Sequence, residues 1–510
     1  MRYLLGIDNG GTFSKAAVFD ETGRQLAVAA ERTDVVIRFA GWRERDMEEL
    51  WQANVRAISR ALKLSGVRPE QLAGISFSGH GKGLYAVDEK GKPVGMGILS
   101  TDTRAWEYPQ GWEKDGTAAK VYQQTCQRIL SCQPPALLAW MKDHLPDEYR
   151  RIRYVFSVKD YIRFRMTGEA YGEYSDFSGA NLIDFETKNY NRSLLGLFGL
   201  PEIFDKLPPL RCSADICGRV TKETAALTGL AEGTIAAAGM FDVNACGIAS
   251  GLIDENHLCM IAGTWSINEF LSRQPIRDGS AALNSFFCIP GYYLVEESSP
   301  TSAGNMEWFL QGLMKEERER LEKEHHSLYE LANEWAASIH PEDSDLLYLP
   351  FLNGSPDNPR AMGSFIGLTM KHTKRHMLRA VYEGIVFCHV MHVKRLLRNC
   401  PRPERIQLSG GAANSPVWVQ MFADVLQIPV ETVAGKELGA LGAAMAAGIC
   451  SGIYQDYAEA ASACVHFTGI TMPQPAYREI YARKYRNFIR TADALQGIWD
   501  ELESGPVSKK

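Results

Sequence analysis

Hydrophobic residues along the chain form short β-prone runs that alternate with longer runs at helical spacing. Two of the short runs, residues 3–7 and 16–19, flank a glycine-rich stretch at residues 8–12 (DNGGT). Two β-prone runs joined by a glycine-rich pivot predict a β-hairpin whose tip leaves backbone N–H groups unpaired. Residues 46–64 then show helical spacing, and residues 72–77 form another β-prone run. This order of elements favours an α/β fold.

The opening pattern recurs in the second half of the chain. An apolar run at residues 257–261 leads into a pivot at 263–266 (GTWS), and another β-prone run follows. The clearest helix is predicted at residues 374–397, where apolar positions recur at i, i+3, i+4 and i+7. A predicted strand at 405–408 then runs into a double glycine and a helix at 418–426, which directs amides and a positive dipole end at a ligand. Two such hairpins could hold a nucleoside triphosphate from both sides.

Length and composition limit the classes of protein that remain. A chain of 510 residues is too long for one core, so we expect domains at residues 1–250 and 251–490 and a C-terminal tail at 491–510. The net charge of −6 gives no basic footprint for nucleic acid. The longest apolar stretch, residues 438–450, is too short to span a bilayer, and no secretion signal opens the chain. We therefore expect a cytoplasmic protein without nucleic-acid or membrane partners.

Cysteines and histidines give no metal-binding pattern. The eleven cysteines include no Cys-x-x-Cys pair, which is typical of reduced thiols. His372 with His376, and His389 with His392, have helical spacing but lack a carboxylate or thiol partner at metal spacing. We therefore expect surface or core histidines rather than a metal site.

The first hairpin carries the residue types that phosphate binding needs. Glycines allow a close backbone approach, hydroxyl groups donate hydrogen bonds, and an amine supplies charge. The candidate residues are Gly10, Gly11, Thr12, Ser14 and Lys15. Asp8, at the end of the first strand, is a candidate ligand of Mg²⁺ or of its waters. The alternative is that Asn9 and Gly10 form a common two-residue hairpin turn with no ligand.

Two further segments are candidates for a polar ligand site. His80, Gly81 and Lys82 lie in a glycine-rich loop after the strand predicted at residues 72–77, although a tight loop with solvated side chains is an equal alternative. Asp102 and Arg104 are two residues apart in a predicted extended segment, so their side chains point the same way and could reach one polyhydroxylated ligand. They could equally pair with each other.

Together these motifs resemble the FGGY family of carbohydrate kinases, which belongs to the superfamily of actin and the heat-shock chaperone ATPases. DNGGT is similar to the family's first phosphate motif, AGTWS to its second, and LSGGAANSPVWVQMFADV to its adenosine motif. The segment GLTMKHTKRHMLRAVYEGIVF is similar to the family signature. The resemblance implies two actin-like (RNase H-like) α/β domains with a cleft between them. The N-terminal domain would bind sugar and carry the first phosphate loop, and the C-terminal domain would bind the nucleotide.

The resemblance also implies roles for individual residues. Asp242, in the segment GMFDV, falls at the position of the general base that contacts the substrate hydroxyl. The loop of His80, Gly81 and Lys82 and the neighbouring Asp102 and Arg104 fall where relatives contact the sugar. The nucleotide would be bound by Gly263, Thr264, Gly304, Gly410, Gly411, Asn414 and Ser415. Departures are Gly11 in place of threonine, Trp265 within the second phosphate motif, and the absence of a lysine from residues 134–137.

The expected activity is transfer of the γ-phosphoryl group of ATP, with Mg²⁺, to a terminal hydroxyl of a small ketose. Several segments are most similar to kinases that act on L-xylulose, and Gly81-Lys82 replaces the Met-His of D-xylulose kinases and the Arg-Glu of glycerol kinases. Another pentulose, a pentitol or a keto-sugar acid is the alternative substrate. A different class is a nucleotide-gated actin-like or chaperone-like binding protein. A sugar-binding regulator without transfer activity is a third possibility, against which Asp8 and Asp242 argue. The sequence itself is silent on the oligomeric state; the resemblance allows a homodimer, since relatives are commonly dimers.

Overall fold

The structure is a computed structural model that describes residues 2–281 and 283–503. It has the predicted mixture of helices and strands. The strands are β1 (Tyr3–Asn9), β2 (Phe13–Asp20), β3 (Gln25–Arg32), β4 (Glu44–Arg45), β5 (Leu72–Gly79), β6 (Tyr85–Val87), β7 (Gly97–Ile98), β8 (Tyr154–Phe156), β9 (Gly172–Glu173), β10 (Ile183–Asp184), β11 (Asn189–Tyr190), β12 (Leu210–Arg211), β13 (Ile216–Arg219), β14 (Ile235–Ala237), β15 (Met240–Phe241), β16 (His257–Ala262), β17 (Ser266–Ser272), β18 (Leu283–Phe286), β19 (Tyr293–Ser299), β20 (Leu347–Leu349), β21 (Ser364–Ile366), β22 (Arg405–Ser409), β23 (Val430–Val433) and β24 (Phe467–Thr471).

The α-helices connect these strands. They are α1 (Met47–Ser65), α2 (Glu107–Lys114), α3 (Thr117–Thr125), α4 (Pro134–His144), α5 (Pro146–Arg151), α6 (Val158–Thr167), α7 (Tyr174–Ser178), α8 (Arg192–Leu197), α9 (Lys222–Thr228), α10 (Asp242–Ala249), α11 (Ala303–Leu313), α12 (Lys315–Glu324), α13 (Leu328–Ala337), α14 (Lys374–Leu396), α15 (Pro416–Leu426), α16 (Leu438–Cys450), α17 (Tyr457–Cys464) and α18 (Arg478–Glu503). Residues 491–503 of the predicted tail therefore continue α18, and residues 504–510 lie outside the described part of the chain.

Contacts divide the chain into two compact units. Unit 1 contains the residues up to Ile253 together with Leu271–Val295 and Gly435–Val465. Unit 2 contains Asp254–Phe270, Glu296–Ala434 and the residues from His466 onward. Two segments that follow the predicted boundary near Gly251 thus pack with the N-terminal part of the chain, because long-range contacts rather than chain order define a compact unit.

The first seven-stranded sheet lies in unit 1, with strand order β13-β14-β5-β1-β2-β3 and with β15 also paired to β5. β1 and β2 form the predicted antiparallel hairpin, while β1 and β15 both run parallel to β5. The Gly/Ala-rich helix α16 packs closely on this sheet: a Cβ on Gly6 would lie only 1.8 Å from the carbonyl oxygen of Ala440. Close packing on a sheet explains the small residues of this helix.

The second seven-stranded sheet has the order β18-β19-β17-β16-β22-β23-β24. β16 and β17 form an antiparallel hairpin, and β16 pairs in parallel with β22, so the arrangement of β1, β2 and β5 recurs in unit 2. The helical segment between residues 134 and 151 is divided in two at Leu145, between α4 and α5. Pro146 begins α5 instead of ending a helix, because proline fits the first position of a helix, where its missing N–H costs nothing.

Candidate functional site

Three parallel strands of unit 1 end at the same level and bring their polar residues together. Asp8 of β1 is in register with Ser78 of β5, and Ser78 is in register with Met240 of β15. Asp242 comes two residues after Met240 and opens α10. Adjacent strands are separated by about 4.8 Å. Asp8, the loop after β5 and Asp242 therefore lie along one short edge of the first sheet.

The hairpin tip between β1 and β2 is the three-residue loop Gly10–Gly11–Thr12. Asn9 is the last residue of β1, and its buried Oδ1 accepts hydrogen bonds from Ser14 Oγ at 2.9 Å and from Asn54 Nδ2 at 2.8 Å. The alternative of a two-residue Asn9–Gly10 turn is therefore wrong. Gly11 and Thr12 are exposed, and a Cβ on Gly11 would meet no atom within 4 Å. The tip leaves room for a ligand to approach its backbone.

Two of the predicted phosphate-binding side chains, those of Ser14 and Lys15, already have partners within the protein. Ser14 is fully buried and donates its hydroxyl proton to Asn9. Lys15 is half-buried, and its Nζ lies 2.7 Å from Oε2 of Glu437, just before α16. Arg45, which the sequence motifs did not single out, donates hydrogen bonds to the carbonyl groups of the two tip glycines.

Asp8 is held against the first turn of α16. The hydroxyl group of Ser78 lies 2.8 Å from Asp8 Oδ1 and 3.0 Å from the carbonyl oxygen of Gly439. A Cβ on Gly439 would lie 2.9 Å from Asp8 Oδ2, so a larger residue would displace the carboxylate. Burial raises the pKa of Asp8, against the lowering effects of Ser78 and Lys15. A cation beside this carboxylate would favour its charged form, and carboxylate oxygens are the ligands that Mg²⁺ prefers.

His80 supports the loop after β5 and is not an exposed sugar ligand. Its Nδ1 lies 3.3 Å from the carbonyl oxygen of Gly81, and its Nε2 lies 3.0 Å from the hydroxyl group of Tyr85. Burial, followed by the charge of Arg45, lowers the pKa of His80 to about 3. The imidazole is therefore neutral near pH 7, with Nδ1 donating to the carbonyl and Nε2 accepting from the phenol.

Gly81 and Lys82 lie beside Phe241, the residue before Asp242. A Cβ on Gly81 would lie 2.3 Å from the Phe241 ring, so only glycine fits there. Lys82 has a φ of 64°, a left-handed conformation that is unfavourable for a non-glycine residue and that clusters at functional sites. Its Nζ lies 5.8 Å from the centre of the Phe241 ring. No carboxylate among residues 2–281 and 283–503 forms an ion pair with this half-buried amine.

Asp102 and Arg104 pair with each other. The predicted extended conformation is wrong, since these residues lie in a turn in which Arg104 N donates to Asp102 Oδ1 at 2.9 Å. The Arg104 guanidinium also lies 2.8 Å from Asp102 Oδ2 and 3.0 Å from Glu44 Oε1. Both side chains are buried, and the guanidinium lies 3.9 Å from the centre of the Trp42 ring. Of the two alternatives, mutual pairing is the one observed.

Asp242 occupies the first turn of α10, immediately after β15. Its Oδ1 accepts a hydrogen bond from Val243 N at 2.8 Å, and the side chain is half-buried. Phe241 N, one residue earlier, donates to Ser175 Oγ at 3.1 Å. A carboxylate fixed at a helix N-terminus is favoured in its charged form. Such a group can accept a proton from a hydroxyl placed against it.

The predicted nucleotide residues of unit 2 converge at one edge of the second sheet. The tip Gly263–Thr264–Trp265 follows β16, and Ile261 of β16 is in register with Ser409 of β22. Gly410 has a φ of 86°, and a Cβ on it would lie 2.7 Å from the carbonyl oxygen of Ala262. Ala303 N donates to the carbonyl oxygen of Gly263 at 2.8 Å, which brings Gly304 beside Thr264.

The remaining nucleotide candidates flank the start of α15. Ser415 caps this helix by accepting a hydrogen bond from Trp418 N, and its hydroxyl donates to Asn333 Oδ1 at 2.6 Å. Asn414 is exposed, and a Cβ on Gly411 would come no closer than 4.0 Å to its nearest neighbour. The turn between β22 and α15 is therefore open to a ligand.

Metal clusters and membrane spans are both lacking from the described part of the chain. Residues 2–281 and 283–503 contain no cluster of three or more His, Cys, Asp or Glu side chains that could hold a metal ion by themselves. Within the same residues, no helix has the length and apolar character needed to cross a membrane.

Comparison with known proteins identifies the class. The chain matches the N-terminal domain of the FGGY family of carbohydrate kinases over residues 3–249 and the C-terminal domain over residues 258–451. It belongs to this family and is an ATP-dependent carbohydrate kinase. The family match favours a carbohydrate kinase over the alternative of a nucleotide-gated actin-like or chaperone-like binding protein.

Two relatives that are similar over the whole chain point to a narrower group. The chain is 36% identical to "Probable L-xylulose kinase" of Pasteurella multocida over 98% of its own length and 100% of the relative. It is 37% identical to "L-xylulose/3-keto-L-gulonate kinase" of Escherichia coli K12 over 98% of both chains. Among solved structures, a ligand-bound xylulose kinase from Lactobacillus acidophilus superposes with a TM-score of 0.89 at 22% identity, covering 98% of this chain and 100% of that one. This likeness confirms the two-domain sugar kinase fold.

Proposed function

We propose that this protein transfers the γ-phosphoryl group of ATP to a terminal hydroxyl of L-xylulose or a closely related keto-sugar. The observation that carries the proposal is the shared edge of Asp8, the Gly81–Lys82 loop and Asp242 in unit 1. That edge combines a group that could bind a metal ion, a loop that could bind a sugar and a carboxylate that could accept a proton. Two relatives that are 36% and 37% identical to this chain are named for L-xylulose.

Asp242 acts as the general base of the reaction. Phosphoryl transfer passes through a loose transition state, so it depends mainly on alignment and on charge neutralisation. The carboxylate of Asp242 orients the sugar hydroxyl and accepts its proton late in the transfer. Its fixed position at the start of α10 supports this role.

The two hairpin tips and the turn before α15 bind the nucleotide. Backbone amides of Gly10, Gly11 and Thr12 and those of Gly263 and Thr264 contact phosphate groups, and Lys15 supplies charge after leaving Glu437. The other nucleotide contacts come from Gly304, Gly410, Gly411, Asn414 and Ser415. The open space at Gly411 supports an adenosine site there.

Asp8 is the residue that would hold Mg²⁺. When bound, the ion would neutralise charge on the phosphate groups. The carboxylate fits this role because Ser78 engages one oxygen, and burial disfavours its charge in the absence of a cation.

A keto-sugar acid is the second candidate substrate, and the position of the Lys82 amine favours it. This amine lies beside Phe241 without an ion-pair partner among the described residues, so it can pair with a substrate carboxylate or donate to hydroxyls. The Escherichia coli relative carries 3-keto-L-gulonate in its name. His80 shapes the loop through its contacts with Gly81 and Tyr85. Asp102 and Arg104 form a buried ion pair in the neighbouring segment that the family resemblance assigns to the sugar site. We further propose a cytoplasmic homodimer.

A substrate panel tests the proposal. ATP-dependent phosphorylation would be measured for L-xylulose, D-xylulose, 3-keto-L-gulonate and glycerol, with Asp242→Asn as the inactive control. We expect the highest kcat/KM for L-xylulose or 3-keto-L-gulonate. A preference for D-xylulose or glycerol would contradict the substrate assignment, and would leave the class of enzyme unchanged.

A further inference from the structure

Two buried histidines of α14 contact the segment that leads into α11. His389 and His392 are three residues apart on one face of the helix, and neither side chain is accessible to solvent. His392 Nε2 lies 2.7 Å from Ser299 Oγ, and His389 Nε2 lies 3.1 Å from Ser302 Oγ. The sequence shows only their spacing, which by itself resembles a metal-binding pair.

The hydrogen bonds of His389 define its protonation state. Its Nδ1 lies 2.9 Å from Asn268 Oδ1, while the amide nitrogen of Asn268 donates to the carbonyl oxygen of Glu297 at 3.3 Å. Nδ1 therefore carries the proton, and Nε2 accepts from the hydroxyl group of Ser302. Burial holds the pKa of His389 well below its usual range, which is consistent with a neutral ring.

Both partners of His389 lead directly to the hairpin tip of unit 2. Asn268 lies on β17, three residues after Trp265 of the tip. Ser302 immediately precedes Ala303, whose N–H donates to the carbonyl oxygen of Gly263 at 2.8 Å. One imidazole thus joins the strand behind the tip to the start of the helix beside it.

We infer that His389 is a positioning residue that fixes the tip Gly263–Thr264–Trp265 relative to the N-terminus of α11 for nucleotide binding. The inference rests on the proposed assignment of this tip to the phosphate groups of ATP. A neutral ring bonded on both sides fixes the two elements in one geometry. Without it, the buried Asn268 and Ser302 each lose a partner and can adopt other rotamers, so the tip loses its preorganised form.

The test compares His389→Leu with His392→Leu, a matched variant that removes an equally buried histidine without a bond to β17. For His389→Leu, we expect the KM for ATP to rise about 10-fold and the KM for sugar to change less than 2-fold, since a lost buried hydrogen-bond partner costs about one order of magnitude in binding. For His392→Leu, we expect the melting temperature to fall without a matching rise in the KM for ATP. Ser302→Ala removes one of the two bonds and should show a smaller rise, which keeps the test decisive if His389→Leu does not fold.

A reference variant separates this inference from the function on which it rests. Thr264→Val alters the tip itself and should raise the KM for ATP. If it does so while His389→Leu and Ser302→Ala bind ATP like the wild type, the positioning role of His389 is overturned and the nucleotide assignment stands. An unchanged KM for ATP in all three variants would overturn the assignment of the tip as well.

Discussion

Replacing Gly439 by alanine should impair catalysis without impairing folding. The new Cβ would lie 2.9 Å from Asp8 Oδ2 and 3.0 Å from its carboxyl carbon, closer than such atoms can pack. Reaching ordinary van der Waals contact requires the carboxylate to move by about 0.5 Å. Since a misplacement of about 1 Å can cost roughly 10²-fold in rate, we expect kcat to fall about 10-fold.

The same substitution should not lower the stability of the helix in which it lies. Alanine is favoured over glycine in helices by up to about 1 kcal/mol, so α16 itself should not weaken. Gly497→Ala is the matched control, because this glycine lies in α18 and a Cβ added to it would meet no atom within 4 Å. It should keep wild-type kcat and raise the melting temperature slightly.

The assay is ADP formation at saturating ATP and sugar, with thermal unfolding measured in parallel. Wild-type kcat in Gly439→Ala would refute the idea that the position of Asp8 against α16 matters. A loss of kcat that accompanies a large loss of stability would show general disruption instead, and would equally contradict the reasoning.

Three further predictions follow from the geometry. Gly411→Val should raise the KM for ATP far more than the KM for sugar, because the free protein has space for the new side chain and only a bound adenosine would clash; equal rises in both would exclude this site. Lys82→Met should cost about 1 to 3 kcal/mol of transition-state binding, and so lower kcat/KM for the ketose, while sugar-independent ATP hydrolysis stays unchanged. If Lys82 were only a solvated surface residue, the substitution would change neither quantity. The pKa of His80 is about 3 in the folded protein and 6.5 in the unfolded chain, so the folded state binds fewer protons. The contribution of neutral His80 to the free energy of unfolding is therefore complete above pH 6.5 and is lost as the pH falls from 6.5 towards 3. Urea unfolding at pH 7 and pH 5 should therefore show a smaller pH dependence in His80→Gln than in the wild type.

The hairpins, the long helix and the glycine turns were predictable because they depend on local patterns. Periodicity alone indicates β1, β2 and α14, and the double glycine before α15 marks a turn that only glycine allows at Gly410. These elements also carry the motifs that identify the family.

The partners of the site residues could not be predicted, because they come from distant parts of the chain. Glu437 pairs with Lys15, and Gly439 approaches Asp8, across more than 400 residues of sequence. The Gly/Ala composition of α16 allows close packing, but it does not indicate the carboxylate against which the helix packs. For Asp102 and Arg104, the sequence spacing allowed either a ligand site or an ion pair. Only the geometry of the turn decided between these two interpretations.

The central claim is that Asp242 is the general base of a sugar kinase. Asp242→Asn keeps the size of the side chain and removes its ability to accept a proton, so kcat should fall by roughly 10² to 10⁴. The affinity for ATP, measured by calorimetry on the same preparation, should stay within 2-fold of the wild type. A variant that retains full sugar-dependent ADP formation would remove Asp242 from the mechanism and contradict the account.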